Sequence, residues 1–111
     1  MNRIGSFALP LLVFVAAALL EVGGDAVVRK GLRGQGWPAI LAGCLMLAAY
    51  GLVVNLVLWD FSRLLGAYVA VFAVAGVLVG RFGFGEAVPR STWVGLALIV
   101  AGGLVIQAGR R

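Results

Sequence analysis

The sequence predicts an all-α membrane protein with four transmembrane helices. Hydrophobic residues make up 63% of the 111 residues and charged residues only 12%, whereas a soluble domain is about 45–50% apolar. A spanning helix needs about 20 apolar residues, so four spans with short connections account for nearly the whole chain. We therefore expect a single transmembrane domain over residues 1–111 and no soluble catalytic domain.

Proline, glycine and charged residues separate the four apolar runs. Pro10 suits a first helical turn, Trp37-Pro38 joins an interfacial aromatic to a helix-starting proline, and Ser91 is a plausible N-cap. We expect helices over residues 10–30, 38–58, 64–80 and 92–107. A cleaved signal peptide, suggested by Arg3 and the apolar residues after it, is the competing interpretation. The acids in this run and the three further runs argue against it.

Two acidic residues lie within the first apolar run. Glu21 and Asp25 are four residues apart, so a helix places them on nearly one face, and Arg29 follows at the same step. An ionisable side chain inside a bilayer costs several kcal/mol unless it is paired, hydrated or protonated, and it therefore indicates function. Arg29 can pair with Asp25 near the helix end. We expect Glu21 to be the deeper and less compensated acid, while Asp25 either shares its role or is neutralised.

Composition argues against several other kinds of function. The chain has no histidine and a single cysteine, Cys44, so we expect no metal, no cofactor and no enzyme activity. The net charge of +5 comes from residues that flank the apolar runs, which favours contact with lipid headgroups over nucleic-acid binding. Asp60 and Glu86 lie in predicted loops and are most simply solvated or capping charges.

The basic residues are almost evenly divided between the two sides of the membrane. Four lie on one side and five on the other: Arg3, Arg63, Arg110 and Arg111, against Arg29, Lys30, Arg33, Arg81 and Arg90. A protein with one fixed orientation normally has a clear excess on one side. The near balance predicts insertion in both orientations and permits an antiparallel homodimer, with a weakly biased single orientation as the alternative.

Small residues mark one face of the fourth predicted helix. Gly95 and Gly102 are seven residues apart, two turns along one face, and small residues at such spacing let helix backbones approach closely in lipid. We expect this face to pack against another helix, either within the chain or in a dimer.

These features together resemble the small multidrug resistance family, the four-helix branch of the drug/metabolite transporter superfamily. Segments of all four predicted helices carry the resemblance: Glu21-Val22-x-Gly24 followed by Arg29, then Trp37-Pro38, Gly66-Ala67-Tyr68, and Gly95-Leu96-x-Leu98-Ile99-x-x-Gly102. The chain departs from the family where Val71 replaces a pocket tryptophan and Ala73-Val74-Ala75 replaces a Gly-Val-Gly segment. Arg63, five residues before Tyr68, looks closer to the YnfA-like branch.

The resemblance implies a proton-coupled exporter of cationic or polar amphipathic compounds in a bacterial inner membrane. It gives Glu21 the role of binding proton and substrate in turn. Asp25, which is additional to the family pattern, is a second candidate because of its position one turn after Glu21. The expected pocket lining comprises Ala17, Tyr50, Tyr68 and Phe72. Gly95 and Gly102 are the expected packing residues of the homodimer. The alternatives are a non-transporting or obligately hetero-oligomeric subunit of the same fold, or a transporter of a non-cationic or lipid-linked substrate.

Overall fold

Four helices make up most of the chain, which is described here from a computed structural model over residues 3–109, with side chains from residue 8 onward. The helices are α1 (Arg3–Lys30), α2 (Trp37–Val54), α3 (Phe61–Leu78) and α4 (Arg90–Ala108). A wide π-helical turn, Val79–Gly83, extends α3. The segment Gly31–Gln35 follows α1 and ends the helix, because Arg33 and Gly34 have non-helical backbone angles. Within these residues each of the four helices is long and apolar enough to cross a membrane, which confirms the integral membrane class.

All four helices begin earlier than the sequence suggests: at Arg3, Trp37, Phe61 and Arg90, where residues 10, 38, 64 and 92 are expected. α1 begins at Arg3 rather than near Pro10, so this proline lies inside the helix; transmembrane helices tolerate an interior proline because the freed backbone groups find other partners. α4 begins at Arg90, so Ser91 is in its first turn and is not the N-cap. The N-cap is Pro89, whose carbonyl accepts hydrogen bonds from the backbone of Thr92 and Trp93 at 3.0 and 3.4 Å.

The link between α2 and α3 lies earlier in the chain than expected, because α2 ends at Val54 and α3 begins at Phe61. Asn55 is the C-cap of α2, and its side-chain amide donates to the Gly51 carbonyl at 2.8 Å. This bond satisfies one of the carbonyls that a helix end leaves without an intrahelical partner. Asn55, predicted inside the second span, therefore closes the helix.

The helices form two compact units, Met1–Val57 and Leu58–Arg111. In the first unit α1 and α2 form an antiparallel hairpin. The chain reverses at Gly34 and Gly36, whose φ angles of 133° and 87° lie in a region that favours glycine. The Gly36 amide donates to the Gly31 carbonyl at 3.0 Å and closes the turn.

The backbones of α1 and α2 approach closely at two glycines. A Cβ atom built on Gly43 would lie 2.5 Å from Val28 Cγ2 and 2.7 Å from the Gly24 carbonyl oxygen, and one built on Gly24 would lie 2.9 Å from the Gly43 carbonyl oxygen. No side chain fits at either position without moving a neighbouring helix. Such contacts drive helix association in lipid, where apolar side chains gain nothing from leaving the solvent.

The second unit pairs α3 with α4. A Cβ atom on Gly103 would lie 2.7 Å from Ala70 Cβ, and one on Gly66 would lie 2.6 Å from Ile106 Cδ1. At the end of the unit where α3 begins, Arg63 Nη2 donates to Gln107 Oε1 at 2.9 Å. The same guanidinium lies 3.6 Å from the centroid of the Trp59 ring, within the range of a cation–π interaction. One polar cluster therefore ties the start of α3 to the last turns of α4.

Replacing Gly43 by alanine should destabilise the first unit. The new methyl group meets backbone atoms of α1, so we expect Gly43→Ala to lower the free energy of unfolding by about 1–3 kcal/mol. Gly51→Ala is the matched control on α2, because a Cβ atom there meets nothing within 4 Å. Circular dichroism during SDS titration of the protein in dodecylmaltoside measures both; equal stabilities would contradict the close packing.

Removing the acceptor of Arg63 should weaken the second unit. We expect Gln107→Leu to cost about 0.5–2 kcal/mol, the range of interhelical hydrogen bonds in membranes. Gln107→Glu keeps an acceptor for the guanidinium and should retain stability. The same SDS titration compares the two variants, and a Gln107→Leu protein as stable as the wild type would show that the bond contributes nothing.

Candidate functional site

Helix α1 places Glu21 on the same face as buried residues of the first unit. The side chain is half-buried, and the residues on its N-terminal side that face inward, Ala17 and Ala18, are at most 1% exposed. Val22 is also buried. The small side chains of Ala17 and Ala18 beside the acid let α1 approach its neighbour closely.

Tyr50 of α2 is a polar group near Glu21. Its side chain is half-buried like that of Glu21, and the two groups interact electrostatically. The structure thus brings together two of the residues predicted for the site, a carboxyl group and a phenol that can donate a hydrogen bond to it.

Asp25 lies in a different environment from Glu21. It is one turn nearer the loop on α1 and is exposed, as is Arg29 one turn further on. The two acids therefore differ as the sequence predicts, with Glu21 the more enclosed. The pairing of Asp25 with Arg29, and a role of Asp25 in binding protons, stay predictions.

The other predicted pocket residues are divided between the two units. Ala17, on α1, is fully buried. Tyr68 and Phe72 lie on α3, with their ring centroids 6.3 Å apart and the rings tilted by 34°, so the one-turn spacing does place them side by side. Tyr68 is 3% exposed and Phe72 is half-buried. Their role as a substrate surface stays a prediction.

The glycine face of α4 makes no close contact within its own unit. A Cβ atom on Gly95 or Gly102 meets nothing within 4 Å, whereas the neighbouring Gly103 packs directly on α3. The expectation that Gly95 and Gly102 pack within the chain does not hold in this unit, because α4 turns the next residue toward α3. Packing in a dimer remains the predicted use of this face.

Metal ligands do not gather in the part of the chain that the structure describes. Among residues 3–109, no three His, Cys, Asp or Glu side chains lie close enough to hold a metal ion. Cys44 is exposed on α2. The chemistry that these residues offer is proton binding at a carboxyl group and contact with apolar or cationic groups.

Two residues that position helices in the structure, Gly43 and Gln107, were not predicted from the sequence. Gly43 controls the approach of α2 to α1, and Gln107 holds Arg63. The signal for the second was present: a basic residue in the first turn of one helix and an amide near the end of the next, antiparallel helix lie at the same level. No comparable signal distinguished Gly43 from the other glycines of the chain.

Comparison with known proteins gives the family. Residues 8–111 match the family model described as "Uncharacterised BCR, YnfA/UPF0060 family". The chain is 38% identical over 101 residues to a UPF0060 membrane protein of Streptomyces avermitilis, covering 89% of this chain and 90% of the relative. It is 32% identical over 102 residues to one of Synechocystis, covering 91% and 94%. No solved structure matches. The chain therefore belongs to the YnfA/UPF0060 family of membrane proteins.

Proposed function

We propose that this chain is a proton-coupled exporter of small solutes, in which Glu21 binds a proton and a substrate in turn. The observation that carries the proposal is a carboxyl group half-buried in a membrane-spanning helix. An ionisable acid at such a position has a high free-energy cost, and acids of this kind typically line ion or proton pathways. The resemblance to the small multidrug resistance family supports the same role, and the substrates we favour are cationic or polar amphipathic compounds.

Exchange follows from exclusive occupancy of the acid. A protonated Glu21 is neutral and has no attraction for a cation, whereas the ionised form attracts one. If the site opens to one side of the membrane at a time, each passage of a solute in one direction returns a proton in the other. In a homodimer two such acids share one cavity and titrate as a coupled pair. No additional catalytic group is required.

The aromatic residues of α3 would form the wall of the substrate site. Tyr68 and Phe72 are adjacent, and each cation–π contact contributes about 0.5–2 kcal/mol. Because Tyr68 is 3% exposed, its ring meets a solute only when the packing around it opens. Alternating access requires such an opening.

A homodimer would supply the second half of the chamber. Four helices of this length enclose little on their own, and the Gly95 and Gly102 face of α4 is open within its unit. The nearly even division of basic residues supports antiparallel subunits inserted in both orientations. A bacterial cytoplasmic membrane, where a proton gradient is available, is the location we propose.

Glu21→Gln should abolish proton-coupled flux, because the amide neither binds a proton near neutral pH nor carries a charge. The measurement is solute-dependent proton movement in proteoliposomes, with guanidinium, tetraethylammonium and polar lipid precursors as probes. Glu86→Gln is the matched control, since Glu86 is exposed in the loop between α3 and α4. Wild-type flux through Glu21→Gln would reject the proposal. A wild-type protein silent with every probe would instead favour a hetero-oligomeric subunit.

Gly102→Leu should weaken the dimer and leave the chain folded. Added bulk at Gly102 meets no atom of its own unit, whereas Gly103→Leu, the matched comparison, collides with α3. The single, exposed Cys44 carries a fluorophore for energy transfer between subunits in vesicles. We expect Gly102→Leu to lower energy transfer at unchanged helical content. Unchanged transfer would exclude this face of α4 from the dimer contact.

A further inference from the structure

Helices α1 and α2 are in register along one seam, which three contacts define. The residues in contact are Gly31 with Ile40, Val28 with Gly43, and Gly24 with Leu47. Each pair follows the last by three or four residues on both helices, the spacing at which side chains recur on one helix face. The seam therefore continues in predictable steps toward the interior of the membrane.

The next step of the seam pairs Glu21 with Tyr50. Glu21 lies three residues before Gly24 on α1, and Tyr50 lies three residues after Leu47 on α2. Each is ten residues beyond the Gly31 and Ile40 pair, about 15 Å along its helix, within an apolar core about 30 Å thick. Both side chains are half-buried, and the two interact electrostatically.

We infer that the Tyr50 hydroxyl donates a hydrogen bond to the ionised Glu21 carboxylate and acts as a positioning residue for proton exchange. This inference rests on the proposed function of Glu21. When Glu21 is ionised, the phenol satisfies one acceptor site of the carboxylate, and such bonds to a charged group are the stronger kind. The proton that leaves Glu21 passes to water, and Tyr50 keeps its own. The carboxylate is thereby held in place for an incoming cation.

Few other titratable or charged groups approach Glu21 within the first unit. On α1 the next ones along the chain are Asp25 and Arg29, both exposed and one and two turns nearer the loop. On α2, the helix packed against α1, Cys44 is exposed and Tyr50 is the group level with the acid. Tyr50 is therefore the residue of this unit best placed to set the pH at which Glu21 releases its proton.

Titration of the carboxyl group tests the inference directly. The chain has two glutamates, Glu21 and Glu86, so a Glu86→Gln background labelled with carbon-13 at the glutamate carboxyl carbon gives one side-chain signal in NMR spectra. We expect Tyr50→Phe to move the half-titration pH of Glu21 upward by about one unit, because the ionised form loses a hydrogen bond. Cys44→Ala, on the same helix, should leave the half-titration pH unchanged. An unchanged midpoint in Tyr50→Phe would overturn the inference.

A second measurement keeps the test valid if Tyr50→Phe does not fold. The wild-type chain has two tyrosines, so labelling at the ring carbon that bears the hydroxyl gives two signals, which Tyr68→Phe assigns. The Tyr50 signal should shift with pH at the same midpoint as the Glu21 carboxyl and lose that shift in Glu21→Gln. A Tyr50 signal whose chemical shift does not change as Glu21 titrates would overturn the inference.

The two proposals fail in different ways. A shifted Glu21 titration in a protein that moves no solute would leave the Tyr50 contact standing and reject transport. Proton-coupled flux that depends on Glu21, together with a Glu21 half-titration pH that is the same in the wild type and in Tyr50→Phe, would support transport and reject the contact.

Discussion

The close approach of α1 and α2 is the constraint on which the candidate site depends. Gly24 and Gly43 bring the two backbones into contact, and this fixes which residues of α2 lie beside each turn of α1. In lipid there is no water to drive apolar side chains together. Interfaces of small residues therefore determine much of the specificity of helix pairing. A side chain at Gly43 would change the separation of the helices, and with it the position of Glu21 relative to Tyr50.

Polar side chains occupy two kinds of position in this chain. Arg63, Trp59 and Gln107 form a cluster near helix ends, and Asn55 closes α2 through the Gly51 carbonyl; these contacts stabilise the structure. Glu21 lies well inside α1, away from any helix end, where an ionised carboxyl group carries a cost that helix packing does not require. The contrast is the reason to assign Glu21 a function and the others a structural role.

The amino-acid sequence predicts the number and type of helices well, because length and hydropathy decide whether a segment can span a bilayer. It predicts the ends of the helices less well. Pro10 lies inside α1, Asn55 caps α2 four residues earlier than expected, and Pro89 rather than Ser91 starts α4. The position of each helix end depends on which of several local hydrogen bonds forms within a few residues. A uniformly apolar sequence gives no indication of which one forms.

Glu21 is recognisable from one sequence because an acid in an apolar run is unusual whatever surrounds it. Which glycines pack against a neighbouring helix cannot be recognised in this way. Periodicity shows which residues share a helix face, but it does not show which helix that face contacts. Gly95 and Gly102 have the expected spacing, yet Gly103 makes the contact with α3. The register that places Tyr50 beside Glu21 likewise depends on both helices of a pair, and neither sequence alone contains it.

The central claim is that a proton and a solute compete for the Glu21 carboxyl group. Proton release from purified protein in weakly buffered detergent, measured with a pH indicator on adding guanidinium or tetraethylammonium, tests it most directly. We expect release from the wild type at a pH where Glu21 is largely protonated, and none from Glu21→Gln. Solute binding to the wild type with no release of protons at any pH, or equal release from both proteins, would contradict it.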